Sequence, residues 1–286
     1  MEIRKIGKIG GGQDGAIYNG TLFRFDHLGN GAAFALSDLT EGEVLEPFAR
    51  FVLDKSDILT PHSNAVFFGT HFYAEGDEFP LLYTNIYNNY GGQEDSLIGV
   101  CLAYRLTREG EGFKTELVQM IKIGFFENAE LWKATPEAHG ARPYGNFLID
   151  KKTNAYYAYV MRTKESGTRY FKFAIPAPDA GEIDPKWGIR HVVLGEEDIL
   201  DSFDTPHHFY IQGGIAYEGK IYSTEGFDHS EVNHPAIRVI DLEGKKQVDF
   251  CDLTTLGYEE EPEMIDFMDG VCYYSDAHGN FYSVAF

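Results

Sequence analysis

Two stretches decide how this chain folds: QDGAIYNGTLFRF, running from Gln13 to Phe25, and QGGIAYEGKIYST, running from Gln212 to Thr224. Each opens on Gln, has glycine in third place, and continues through an apolar trio to Asn19-Gly20 or Glu218-Gly219 before a second alternating run. A two-residue Asn-Gly or X-Gly step between alternating segments is the signature of a tight β-hairpin, because its turn places both central residues at positive φ. The phrases are therefore one unit used twice: a strand, a type I′ turn and a return strand. Looser copies start at His62 (HSNAVFFG), Tyr144 (YGNFLIDKKTNAYYAYV) and Glu261 (EPEMIDFMDGVCYYS), the last with Asp269-Gly270 at its turn. Several copies run on to further strands, as in Ala236 to Leu242 followed by Lys246 to Leu253.

Other segments share the two-residue period and the β-branched and aromatic bias of strands, among them Ala155 to Met161 and Arg169 to Ile175. Helical stretches are few, with Asn128 to Lys133 and Glu196 to Ser202 as the best candidates. A small antiparallel meander cannot bury both of its faces alone, and stacking such sheets radially around an axis solves the problem. The expected fold is an all-β propeller occupying residues 1–286 as one domain, with units opening near residues 13, 62, 144, 212 and 261. Five blades are expected, with six as the alternative. The last unit has three strands, so residues 2 to 9 are predicted to supply its outer strand, closing the ring and covering a sheet edge.

With 24 Lys and Arg against 45 Asp and Glu, the formal charge is −21. Such a field repels nucleic acid and anionic lipid surfaces, and no apolar run reaches the length of about 18 residues that spans a bilayer. A start of MEIRKIGK without an apolar core implies a cytoplasmic protein. Cys101, Cys251 and Cys272 are widely spaced among apolar neighbours, so no structural disulfide is expected. His229 and His234 fall in a loop at a spacing that is no metal motif.

Because the first strand of each propeller blade lines the axis, the five openings should meet at one mouth of the channel. They carry Gln13 and Asp14, His62 and Asn64, Tyr144 and Asn146, Gln212, and Glu261 and Glu263. A ring of polar heads flanked by aromatics suits a polar small molecule, and a carbohydrate is the leading expectation, with stacking on Tyr144 or Tyr83. Two alternatives stand beside it. Asp14 and Glu263 could serve as the paired carboxylates of a glycoside hydrolase or lyase, or the propeller could be a protein-interaction scaffold. No organic cofactor is expected, although Asp14, His62 and Glu263 could hold a divalent cation in the channel. A monomer is expected.

The phrases at Gln13-Asp14-Gly-Ala-Ile-Tyr, at His62-Ser-Asn64 with Phe79-Pro-Leu-Leu-Tyr83, at Gln212-Gly-Gly with Lys220-Ile-Tyr222, and at Glu261-Pro-Glu263 together resemble a group of bacterial five-bladed propellers of unassigned function. They are also distantly similar to the propellers of phage receptor-binding proteins and of teichoic acid biosynthesis protein C. The resemblance covers most of the chain from residue 13 onward and is most specific in the last 75 or so residues. It implies recognition of a carbohydrate or glycopolymer.

Overall fold

A computed structural model describes residues 1–86, 97, 99–124, 143–161, 167–206, 210–231 and 233–286, without the side chains of 143–146 and 161. The fold is all-β and β-propeller-like. Strand β1 (Glu2–Lys8) precedes a four-stranded meander of β2 (Gly15–Tyr18), β3 (Thr21–Phe25), β4 (Asn30–Ala35) and β5 (Ala49–Val52). After a single helical turn, α1 (Ser56–Leu59), a second group forms from β6 (Phe67–Phe68), β7 (Leu82–Asn85), β8 (Cys101–Glu109) and β9 (Gly112–Ile123). Next come β10 (Pro143–Asp150), β11 (Ala155–Met161) and β12 (Thr168–Ala174), then β13 (Glu182–Ile183), β14 (Arg190–Leu194) and β15 (Asp201–Thr205). The chain ends with β16 (Ile211–Tyr217), β17 (Lys220–Glu225), β18 (Ala236–Asp241) and β19 (Lys246–Asp252), followed by β20 (Pro262–Met268), β21 (Val271–Asp276) and β22 (Asn280–Ala285).

The turns behave as their residues require. Asn19 and Gly20 have φ of 47° and 78°, Glu218 and Gly219 46° and 79°, and Asp269 and Gly270 51° and 80°. Both central positions of each turn are left-handed, which matches the strand twist and closes the hairpins β2–β3, β16–β17 and β20–β21 without splaying them.

The innermost strands form a closed ring: β2 lies against β6 and β20, β10 against β6 and β16, and β16 against β20. An eight-stranded sheet bridges two of the groups, but a single parallel pair, Asp150 with Ala216, joins its halves. At the end of the ring β1 pairs antiparallel with β22 from Glu2 opposite Ala285 to Lys8 opposite Asn280, with one bulge. The N-terminus thus supplies the outer strand of the C-terminal sheet, in order β1-β22-β21-β20.

Aromatic side chains fill the wedge between the first two groups. The Phe23 ring meets those of Phe51, Phe68, Phe79 and Phe113 edge-on, with centroids 6.3, 5.3, 5.6 and 5.1 Å away. Edge-to-face contact of this kind adds specificity to the area buried.

Two expectations are corrected. Glu196 to Ser202 is not a helix: Glu196–Asp198 makes one 3-10 turn, while Asp201 and Ser202 pair with Lys172 and Phe171 across β12 and β15. So short a segment cannot offset helix nucleation, and the sheet edge takes its backbone groups instead. The opening at His62 is no strand, since Ser63 has φ of 59° and only Phe67–Phe68 pair with β7. The chain between β12 and β15 also leaves its own group, and β14 adds parallel to the edge of β9, with Arg190 opposite Gln119. The Asn128 to Lys133 candidate lies outside the described residues. Cys101, Cys251 and Cys272 are free thiols.

Deleting residues 1–8 would bare the β22 edge. The expected result is a fall in Tm of roughly 5–10 °C together with self-association on size-exclusion chromatography. An unchanged melt would show that closure contributes little.

Candidate functional site

The openings of β2, β16 and β20 come together, with the turn before β6, around one cluster of buried polar groups. Gly213 explains how the strands approach so closely: a Cβ there would lie 2.1 Å from the Glu263 carbonyl oxygen, so no other residue fits. Side-chain bonds then link the openings. The Gln13 amide donates to Glu263 Oε1 at 3.2 Å, and the Gln212 amide donates to Glu261 Oε1.

Asp14 is 1% exposed, and both its oxygens are engaged by backbone amides. Gly15 N–H donates to Oδ1 at 2.7 Å, and Val66 N–H, from the neighbouring group, donates to Oδ2 at 2.8 Å. The Asp14 amide in turn donates to the Ser63 carbonyl at 3.0 Å. Burial pushes its carboxyl well above the usual range against the pull of those two N–H groups, and the charge on Asp266 adds to the rise. Asp266, on β20, accepts from Ile17 N–H at 2.7 Å and Phe267 N–H at 2.7 Å, and burial raises it too.

At the centre lies Arg24, on β3 and 2% exposed. Its guanidinium donates to Ser275 Oγ, to the Gly12 carbonyl at 2.8 Å and to the Asp276 carbonyl at 2.9 Å. Burial lowers its pKa, and the carboxylates of Glu263, Asp14 and Asp276 oppose that fall. Glu263 is 0% exposed, and burial drives it well above the ordinary value; the nearby charge of Glu261 pushes the same way, while Arg24 pulls back. Glu261, half-buried, is raised by burial and drawn down by its bond from Gln212.

On the other flank, Asn85 Nδ2 donates to Asn64 Oδ1 at 3.1 Å, and His62 N–H donates to the Asn85 carbonyl at 3.0 Å. The His62 ring is half-buried, 6.3 Å from that of His27. Tyr144 and Asn146 lie on β10, and their side chains are outside the description. Tyr83 is not available for stacking: it is 1% exposed and its ring fits against Gly69, where a Cβ would lie 2.6 Å from it. His234 sits elsewhere, between the Ser230 carbonyl at 3.3 Å and Asp252 at 3.4 Å. Among the described residues no group of three His, Cys, Asp or Glu side chains could hold a metal ion, and no helix is long and apolar enough to cross a membrane.

Sequence reasoning passed over Arg24, Asn85 and Asp266. The one signal for Arg24 was a charged residue inside TLFRF, a run otherwise fit for a core strand.

No family model matches the chain, and no curated protein matches it. Among solved structures the chain is similar to the glutaminyl cyclase of Myxococcus xanthus, at 11% identity and a TM-score of 0.49, over 99% of this chain and 93% of that one. A computationally designed protein, Ika8, aligns at 7% identity and a TM-score of 0.33, over 94% of this chain and 56% of the other. Neither is a phage receptor-binding or teichoic acid biosynthesis protein.

Two outcomes test this geometry. Asp14→Asn would turn an amide nitrogen toward the N–H of Gly15 or Val66, so it should cost about 1–3 kcal/mol in denaturant unfolding at neutral pH. An unchanged midpoint would show that these amide bonds do not hold the seam. For Glu263 the folded pKa lies above the ordinary 4.5, so the stability from its protonated form is present below that value and lost as pH rises through the folded one. Glu263→Gln should therefore gain at least about 1 kcal/mol over the parent at neutral pH and nothing near pH 4. A difference that stays constant with pH would contradict the raised value.

Proposed function

We propose that the chain is a five-bladed propeller that binds a small polar ligand, a saccharide or related polyol, where its inner strands open. The observation that carries this is the pair of bonds Gln13 to Glu263 and Gln212 to Glu261, which bring side chains from three groups to one rim. Here amides and carboxylates from separate groups face one another, and each amide keeps further donor or acceptor capacity for a guest. Asn64 and Asn85 extend the rim toward the second group, with His62 beside them.

Catalysis by Asp14 and Glu263 has less support. A nucleophile or acid must present a free oxygen to substrate, and both Asp14 oxygens accept from backbone amides. Its geometry suits a brace.

The test is calorimetric titration of the full chain with neutral mono- and oligosaccharides. Gln13→Ala and Gln212→Ala should each weaken the best binder about tenfold. A binder indifferent to both substitutions would place its site elsewhere.

A further inference from the structure

Behind the rim, two buried side chains each keep an unpartnered polar atom. Glu263 accepts from Gln13 through Oε1, while Oε2 meets no donor. Arg24 spends its terminal nitrogens on Ser275, Gly12 and Asp276, while its Nε–H meets no acceptor. Glu263 is the strongest charge acting on Arg24, yet no ion pair within 4.0 Å joins them. Buried donors and acceptors are nearly always matched in native proteins, so an orphan donor and an orphan acceptor on two groups that interact electrostatically call for a partner.

We infer that Arg24 and Glu263 together recognise one hydroxyl of a neutral polyhydroxy ligand, whose oxygen accepts from Arg24 Nε–H while the same hydroxyl bonds Glu263 Oε2. The inference rests on the ligand site proposed above and specifies its chemistry. A hydroxyl offers both lone pairs and a proton, so it satisfies the two groups whether Glu263 is ionised or protonated. An ammonium has no lone pair for Arg24 and meets its positive charge. A carboxylate or phosphate oxygen has no proton for an ionised Glu263 and faces Glu261, Asp14 and Asp276 as well. Entry requires the Gln13 amide to turn aside, and it is held only by the 3.2 Å bond at the partly exposed rim.

The experiment compares D-glucose, D-glucosamine and D-glucuronate, which share a skeleton but differ in charge, by calorimetry on the full chain at up to about 50 mM. Glucose should bind at least about tenfold more tightly than either charged analogue. Glu263→Met should remove most of that affinity in a variant that still melts cooperatively, with Tm lowered because the Gln13 amide loses its acceptor and Arg24 a counter-charge. A purely structural Glu263 would leave glucose affinity within about twofold in the folded variant. Should E263M not fold, E263Q serves: it should hold glucose within about threefold, whereas a cation site would lose glucosamine. Tightest binding of glucosamine or glucuronate, glucose binding indifferent to E263M, or glucose binding lost by more than about threefold in E263Q overturns the hydroxyl assignment and leaves the mouth site standing. No binding by any of the three overturns both, and leaves a buried water as the partner of the pair.

Discussion

The carboxylate of Asp14, reaching across to the backbone N–H of Val66, shows the constraint under which the ring is assembled. Within a sheet, neighbouring strands satisfy each other's amides along a ladder. Across a seam between radially stacked sheets the strands splay, and no continuous ladder can form. Buried side chains take over that task. Asp266 holds the Ile17 N–H across the closure, Asp54 holds the Leu117 N–H from β5's side of the wedge, and Arg24 ties β3 to the end of β21. Where the backbone does bridge a seam, it does so in isolated contacts such as Asp150 with Ala216, the Asp14 amide with the Ser63 carbonyl, and Lys8 with Val44. A short acceptor suits the role, since a carboxylate takes an N–H from each of two directions without needing a donor of its own.

That device has an electrostatic cost, and the site inherits it. Burying carboxylates raises their pKa, as happens at Asp14, Asp266 and Glu263. A buried guanidinium offsets part of the cost, which accounts for an arginine in the middle of a core strand. Bracing and the proposed recognition therefore draw on the same cluster. The division of labour follows hydrogen-bond satisfaction: Asp14 has spent both oxygens on backbone, whereas Glu263 and Arg24 each retain one unused atom.

Much of this was legible before any coordinates. Asn19-Gly20, Glu218-Gly219 and Asp269-Gly270 announce their turns because only a few residues tolerate two successive left-handed conformations. The missing outer strand of the last unit pointed to residues 2 to 9 for the same reason that edges are covered in general. The β13–β14 excursion to the edge of β9 was not legible, since strand addition by a distant segment depends on where the chain passes in space, and Val192 and Val193 look the same in either sheet. Asp14 carried a different ambiguity. A carboxylate at the start of an inner strand reads equally as catalyst or brace, and only the positions of the Gly15 and Val66 amides separate them.

The formal charge of −21 overstates what a ligand at the mouth would meet. Glu263, Glu261, Asp14 and Asp266 all have raised pKa values, and Arg24 stays cationic because a guanidinium so far above neutrality is not discharged by burial of this kind. Each carboxyl that retains its proton removes a negative charge from the cluster and leaves the guanidinium less outweighed. The proposed mouth is then less negative than its count of carboxyl groups suggests. At the proposed mouth, hydrogen-bond pattern would then weigh more than charge in selecting a ligand.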